Sequence, residues 1–149
     1  RHRARLVADG HLTDVPVDSV HSGVVSLRGF GLLVFLAELN GLEIWGTDIS
    51  STHSEAHAKE RVCVVAGPEF GPLEGHRSLV DKALHGLRSS SARWHDKFST
   101  CMRAEGFFPC RAEPDIWMRS AGDHCKCVAV DVDDLAFAVD KPQQFVDTL

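Results

Sequence analysis

The 149-residue chain contains no tyrosine and only two methionines, and it lacks several patterns that would assign it to a class. No apolar run approaches the roughly 20 residues that span a bilayer. The longest run, residues 31–37, ends at Glu38. The basic opening residues lead into only a short apolar stretch, so we predict no signal peptide. These absences argue against a membrane protein and against secretion.

Disulfide chemistry and a strongly basic surface are also missing. The five cysteines form no Cys-x-x-Cys pair and no even framework, which argues against a disulfide scaffold and favours a reducing compartment. The formal net charge is −5, so the chain as a whole has no basic footprint for nucleic acid. A local groove can still be basic in an acidic chain, and nucleic acid therefore stays open as a partner.

The sequence does have the composition of one globular domain. Hydrophobic residues make up 44% and charged residues 25%, at a length that suits a single core. Apolar spacing predicts a helix over residues 26–40, apolar on most faces and so largely buried. A second helix starts after Ser89 and ends at Gly106, with an apolar stripe of Trp94, Phe98, Cys101 and Met102.

Strand patterns account for much of the remaining chain. Strands are predicted at residues 3–8, 42–48, 62–66, 116–119, 125–130 and 135–139. A loop is predicted at 67–75, a helix or turn at 78–87, and a helix start near Pro142. Strands and helices mix without regular β–α–β alternation, which predicts an α+β fold. We expect one domain over residues 1–149, cut from a longer protein at both ends.

Carboxylates carry the most distinctive chemistry. Asp131, Asp133 and Asp134 fall at the tip of the predicted hairpin, and Asp48 ends another predicted strand. Neighbouring carboxylates repel, so they demand a cation, and Mg²⁺ or Mn²⁺ meets that demand with oxygen ligands. Three carboxylates on neighbouring strand ends suit a two-metal phosphoryl-transfer site. The alternative is an acidic turn, because Asp is common in turns.

Residues 124–127 (HCKC) are a second candidate site, for a soft metal. The Cys-x-Cys spacing puts both thiols on one strand face, but no second pair follows at zinc spacing. Buried small apolar side chains are therefore the preferred interpretation of Cys125 and Cys127. A free-standing metal-binding domain built on thiols and histidines stays as an alternative.

Six segments, in order along nearly the whole chain, resemble the reverse transcriptase domain of copia-type retrotransposons. They are residues 3–10 (RARLVADG), 45–49 (WGTDI), 62–71 (VCVVAGPEFG), 82–88 (KALHGLR), 106–115 (GFFPCRAEPD) and 132–135 (VDDL). The last resembles the family's YVDDL block. The resemblance implies a right-hand polymerase fold, here a fingers and palm fragment with an antiparallel palm sheet and packed helices, the thumb missing.

The resemblance also implies roles for individual residues. Asp48, Asp133 and Asp134 would be the catalytic residues and would hold two Mg²⁺ or Mn²⁺ ions. A further set would contact the incoming nucleotide and the template: Arg3, Arg5, His53, Gly86 and Arg88.

Partners and location follow from the same resemblance. The implied partners are an RNA or DNA template-primer, a deoxynucleoside triphosphate, and the rest of a polyprotein with integrase, thumb and ribonuclease H, with no membrane. The implied location is the cytoplasm, in a retrotransposon particle.

Several positions depart from the family pattern. Asp131, Cys63 and His85 stand where the family has Tyr, and His53 replaces an aromatic residue beside the sugar. Asp, Cys and His are each one nucleotide change from a Tyr codon, which suggests an accumulated loss of tyrosines. The alternative function is therefore a catalytically dead retroelement remnant that at most binds nucleic acid.

Overall fold

Helices and antiparallel strands mix irregularly along the chain, which confirms the α+β class. The computed structural model describes residues 7–12, 20, 22–49, 57–58 and 61–148. Its elements, in chain order, are α1 (Leu27–Leu39), β1 (Ile44–Asp48), β2 (Cys63–Val65), β3 (Arg77–Leu79), α2 (Ser90–Ala104), β4 (Phe108–Pro109), β5 (Ile116–Ser120), β6 (Cys125–Asp131), β7 (Asp134–Ala138) and α3 (Pro142–Val146). Two 3-10 helices cover Gly10–Leu12 and Pro68–Leu73.

The chain divides into two units. The first comprises Arg1–His21 with Ser51–Trp94, and the second comprises Ser22–Ser50 with His95–Leu149. The prediction of one domain over residues 1–149 stays a prediction. Of the strand predicted at residues 3–8, positions 3–6 lie outside the described residues, and 7–8 are not in a strand.

A five-stranded antiparallel sheet is the frame of the second unit. Its strand order is β1-β7-β6-β5-β4, so β1 lies at one edge, and β7 lies between β1 and β6. Four of these strands follow the predicted patterns closely. The short edge strand β4 is an addition, because two residues are too few to produce a recognisable alternation.

Helices cover both faces of this sheet. On one face, Leu33 and Ala37 of α1 pack with Ile116, Cys127, Ala129 and Ala138. On the other face, Phe98 of α2 contacts Trp117 edge-on at 6.0 Å between ring centroids. Phe145 of α3 contacts Phe137 there at 5.0 Å. Side chains alternate between the faces along each strand, so these two sets separate cleanly.

The prediction that the first helix is largely buried was wrong. In α1 only Gly29, Leu33 and Ala37 are buried, whereas Leu27 is 88% exposed and Leu39 is 68% exposed. The helix packs on a sheet of its own unit through one stripe, and a single stripe covers only part of a helix surface. In α2 the stripe of Trp94, Phe98 and Met102 is buried as predicted, but Cys101 is exposed.

The first unit contains a short hairpin. Strands β2 and β3 pair antiparallel, with Cys63 opposite Leu79. Residues 77–79 are therefore a strand, where a helix or turn was predicted from residue 78, because pairing with β2 determines their conformation. The predicted loop over 67–75 contains the 3-10 helix at Pro68–Leu73. In the described part of the chain, no helix is long and apolar enough to cross a membrane.

Gly86 allows two backbone segments of the first unit to touch. It has φ = +92°, and a Cβ at this position would collide with the carbonyl oxygen of Ala8. The Ala8 N–H donates to the carbonyl of His85 at 2.7 Å, and Arg88 Nε donates to the carbonyl of Gly10 at 2.8 Å. The turn at Gly86 therefore anchors residues 8–10.

Gly86→Ala is expected to destabilise the chain by about 2–3 kcal/mol, because it combines a left-handed φ with a backbone collision. Gly75→Ala is the matched control: Gly75 has φ = +78° but nothing within 4 Å of the added Cβ. Its expected cost is about 1 kcal/mol, from backbone strain alone. Urea unfolding of the two variants measures the difference in their free energies of unfolding. Equal losses of stability would refute the close approach of Gly86 to the backbone of Ala8.

A charged cluster ties the β5–β6 turn to the end of β7. His124 Nδ1 lies 2.9 Å from Asp123 Oδ1, and His124 Nε2 lies 2.6 Å from Asp140 Oδ1. Lys126 forms an ion pair with the second oxygen of Asp140. Both ring nitrogens donate only when the imidazole is protonated, so the hydrogen bonds to Asp123 and Asp140 raise the pKa of His124. Hydrogen bonds from His124 and Lys126 lower the pKa values of Asp123 and Asp140 respectively.

The stability contributed by this cluster is expected to depend on pH. Its histidine part is fully present below the ordinary imidazole pKa of 6.5 and is lost as pH rises through the raised folded pKa. Its carboxylate part is present above the ordinary value of 3.8 and is lost as pH falls through the lowered pKa values.

His124→Gln should therefore lower Tm more at about pH 5 than at about pH 9. His76→Gln serves as the control, because the His76 side chain forms no ion pair within the described residues. A loss in Tm that is the same at both pH values would contradict the account.

Candidate active site

The hairpin of β6 and β7 ends in a two-residue turn, Val132 and Asp133. Val132 has φ = +55° and is the one non-glycine residue with a positive φ among those described. A positive φ at the first turn residue is the feature of a type II′ turn, which normally has glycine there. A β-branched residue in this region is strained by roughly 1–2 kcal/mol, so surrounding contacts hold the turn in place.

Strand register aligns three carboxylates at this end of the sheet. Asp134 of β7 lies opposite Asp48 of β1 on one side and opposite Asp131 of β6 on the other. Residues directly opposite in antiparallel strands point to the same face, with Cβ atoms about 5 Å apart. Asp131, Asp134 and Asp48 therefore form one row, called here the carboxylate row, on the face that α1 covers further along.

Asp133 lies beside the carboxylate row, in the turn. Its carbonyl accepts a hydrogen bond from the N–H of Ile49 at 2.9 Å, which extends the β1–β7 ladder past Asp48. The structure thus brings the predicted catalytic residues Asp48, Asp133 and Asp134 to one end of the sheet. It adds Asp131, one of the residues that depart from the family pattern.

The carboxylate row is exposed and lacks a positive counterpart within the described residues. No described Lys, Arg or His forms an ion pair with Asp48, Asp131, Asp133 or Asp134. Oxygen-only donors on adjacent strand ends have the chemistry that Mg²⁺ and Mn²⁺ prefer. In the described part of the chain, however, no three ligand-type side chains converge closely enough to hold a metal ion. The ligand types and the strand register suit a divalent cation, but the described side chains do not converge on a common point.

The segment before α1 borders the carboxylate row. Val24 forms a β-bridge with Asp131, and the Val25 N–H donates to the carbonyl of Val130 at 2.9 Å. Ser26 then caps α1, its Oγ accepting from the N–H of Gly29 at 3.0 Å. Residues 24–26 therefore fix the start of α1 against the strand that carries Asp131.

Two further carboxylates, between β4 and β5, hold this segment. Glu113 accepts a hydrogen bond from Ser26 Oγ at 2.6 Å. Asp115 is buried, lies 3.3 Å from His95 Nε2, and approaches Gly23 so closely that a Cβ there would collide with its carboxylate. Sequence reasoning placed Glu113 and Asp115 in a family segment without a role. A glycine at position 23, three residues before the cap Ser26, was the only local signal for such a close approach.

Of the predicted nucleotide-contacting residues, the structure describes only Gly86 and Arg88. Gly86 and Arg88 belong to the first unit, where Arg88 donates to the carbonyls of Gly10 and His11 at 2.8 and 3.4 Å. Arg3, Arg5 and His53 lie outside the described residues. Their predicted roles stay predictions.

The thiols of residues 124–127 pack in the core of the second unit. Cys127 is buried and Cys125 is half-buried, both on the face that α1 covers. Burial raises the pKa of the Cys127 thiol to about 11, with smaller contributions from Cys125 and Cys110. A thiol that stays protonated at neutral pH is a poor metal ligand. This geometry favours the interpretation as small apolar core residues.

Comparison with known proteins identifies the family to which the chain belongs. A family model described as reverse transcriptase (RNA-dependent DNA polymerase) matches residues 1–147. The chain belongs to this reverse transcriptase family. Membership implies a nucleic-acid template as partner. Searches of the curated proteins and of the solved structures find no significant match.

Strain at Val132, in the hairpin that carries Asp131, Asp133 and Asp134, is testable at a single position. Val132→Gly and Val132→Ala both remove the two branched methyl groups, but only glycine also removes the Cβ and so relieves the left-handed φ. In an ordinary strand glycine is the less stable of the two by roughly 0.5–1 kcal/mol. Here the glycine variant should be more stable by about 1 kcal/mol, measured by urea unfolding. If alanine gives the more stable variant, the turn is not strained as described.

Proposed function

We propose that the chain is a copia-type reverse transcriptase domain that carries out template-directed DNA synthesis. In the proposed reaction the primer 3′-oxygen attacks the α-phosphorus of a deoxynucleoside triphosphate. A new phosphodiester bond forms, and the bond to pyrophosphate breaks. The observation that carries the proposal is the strand register that aligns Asp48 with Asp134, with Asp133 in the adjoining turn.

Asp48, Asp133 and Asp134 would hold two divalent cations in this proposal. Two such ions supply activation of the 3′-hydroxyl and neutralisation of the triphosphate and leaving pyrophosphate. The protein contributes position: β1 and β7 are hydrogen-bonded neighbours, so their carboxylates stay in a fixed register. The turn fixes Asp133 because its carbonyl is bonded to Ile49.

Asp131 modifies this site. It stands opposite Asp134, where the family has tyrosine, so the row carries one more negative charge and one aromatic ring fewer. The additional negative charge strengthens the attraction of the row for divalent cations, but it also repels the phosphates of a primer. The catalytically dead remnant therefore remains the second candidate, on this specific observation.

The remaining assignments belong to the same proposal. The second unit, with the sheet and the carboxylates, would be the palm, and the first unit would belong to the fingers. Arg3, Arg5, His53, Gly86 and Arg88 would contact the nucleotide or template. Thumb, ribonuclease H and integrase would be parts of the same polyprotein, which would act in a cytoplasmic retrotransposon particle.

Primer extension with Mg²⁺ or Mn²⁺ tests the function, with the chain alone and supplied with the thumb of a related reverse transcriptase. We expect metal-dependent extension by the wild-type chain. Asp133→Asn and Asp134→Asn should each reduce it at least about 100-fold, because each removes a negatively charged ligand that would hold the divalent cations at the reacting phosphate.

Glu38→Gln is the matched control for this experiment. It removes one carboxylate from the exposed end of α1, away from the carboxylate row, and should leave extension unchanged. If the wild-type chain is folded by circular dichroism but extends no primer, either alone or with the added thumb, the proposal of an active polymerase is rejected. The alternative, a catalytically dead remnant, is then supported.

A further inference from the structure

The surface of α1 that faces away from the sheet is largely apolar. Phe35 is 62% exposed, and Leu27, Leu32, Val34 and Leu39 are exposed along the same helix. Single exposed apolar side chains are ordinary, but a contiguous patch of several on one element marks a surface that binds a partner. The order and the charges of the residues on this surface indicate which partner fits it.

Four exposed residues form a regular stripe along this surface, called here the outer stripe: Arg28, Gly31, Phe35 and Glu38. They follow one another at intervals of three, four and three residues, which is the spacing of the contact line between two helices packed along each other. The outer stripe lies opposite Leu33, the residue that α1 buries against the sheet. The contact line is therefore available to a second helix.

The two charges of the outer stripe oppose the dipole of their own helix. Arg28 lies in the first turn and Glu38 in the last, and α1 has no acidic residue in its first turn and no basic residue in its last. A helix favours negative charge at its start and positive charge at its end, so α1 alone gains nothing from this placement. Among the described residues neither side chain forms an ion pair. A partner that brings a carboxylate to Arg28 and a cation to Glu38 would compensate both.

Gly31 leaves a gap in the middle of the outer stripe. Glycine is less favourable than alanine inside a helix. The fold of this chain does not require glycine here, because a Cβ added at Gly31 would meet nothing within 4 Å. On a helix-packing surface such a gap accepts a large side chain from the facing helix.

A second copy of α1, running antiparallel, supplies all of these partners. A two-fold axis level with position 33 places residue 28 opposite residue 38 and residue 31 opposite residue 35. Arg28 of each copy then faces Glu38 of the other, and Phe35 of each copy enters the gap at Gly31 of the other. Every contact occurs twice, as in an isologous interface. A parallel pair would instead place Arg28 opposite Arg28 and Glu38 opposite Glu38, and like charges would repel.

The exposed apolar area suits a weak dimer. Leu27, Leu32, Val34, Phe35 and Leu39 flank or belong to the outer stripe. At roughly 100 Å² of apolar surface for each side chain, two copies would bury about 1,000 Å², which is near the lower limit of a specific interface.

We propose that a second copy of this chain docks antiparallel on the outer stripe of α1 and forms a reversible two-fold dimer. The dimer depends on neither catalysis nor a bound metal, so it stands apart from the proposed polymerase function. Primer extension at nanomolar chain concentration involves the monomer, and Glu38→Gln stays a neutral control there.

Sedimentation equilibrium of the full chain tests the proposal, with dithiothreitol present because Cys63 and Cys101 are exposed. We expect a monomer–dimer equilibrium with a Kd between roughly 1 and 100 μM that weakens as salt is added. Arg28→Glu and Glu38→Arg should each weaken the dimer at least about tenfold, since each places like charges opposite one another. The double variant restores opposite charges and should dimerise within about threefold of wild type.

Two features of this charge exchange separate loss of the dimer from loss of the fold. Each single reversal improves the match to the helix dipole, so the dilute variants should melt no lower than wild type by circular dichroism. Lys141→Glu is the matched control for the change in net charge. It reverses an exposed cation at the start of α3, on the opposite face of the sheet, and should leave the Kd unchanged.

Gly31→Leu separates a specific pairing from general stickiness. It replaces glycine by a better helix former and adds apolar surface, so non-specific association would increase. In the proposed dimer it fills the gap that Phe35 enters, and it should weaken dimerisation at least about tenfold. The proposal is overturned if Gly31→Leu strengthens association, or if the double charge variant is no tighter than the single ones. It is also overturned if the folded wild-type chain stays monomeric up to about 200 μM, in which case a different partner covers α1.

Discussion

The pairing of β7 with both β1 and β6 is the constraint on which the second unit and its candidate site depend. It makes β7 an interior strand and sets Asp134 between Asp48 and Asp131. Because side chains alternate along a strand, the same register sends Ala136 and Ala138 toward α1, and Leu135 and Phe137 toward the opposite face. A slip of one residue would bury charge and expose Phe137, so the hydrophobic core fixes the register of the carboxylates.

Neighbouring contacts support this register at the strained end of the hairpin. Val132 adopts a left-handed φ that costs free energy, and the Ile49 N–H bond to Asp133 holds the turn from the β1 side. From the other side, Val24 and Val25 bind the end of β6. Glu113 and Asp115 hold that segment in turn, so the loop between β4 and β5 contributes to the geometry of the carboxylate row.

Sequence reasoning predicted the central strands, because their period-two patterns and Asp-rich turn are local signals. It also predicted that Asp48, Asp133 and Asp134 would belong together, since the family resemblance supplied the pairing that local pattern lacks. It did not predict β4, the strand nature of residues 77–79, or the exposed side of α1. Each of those depends on which other segment of the chain packs or pairs there. An apolar residue such as Leu27 does not by itself indicate whether another segment covers it. The place of Asp131 opposite Asp134 likewise follows from register, not from composition.

A crystal structure of the chain soaked in Mn²⁺, with the metal located by its anomalous signal, tests the central claim most directly. The account predicts a peak bonded by the carboxylates of Asp48 and Asp134, with Asp133 turned toward it and Asp48 still opposite Asp134. A peak elsewhere, or strands β1 and β7 paired in another register, would contradict it. The carboxylates would then be an acidic turn without a shared ligand.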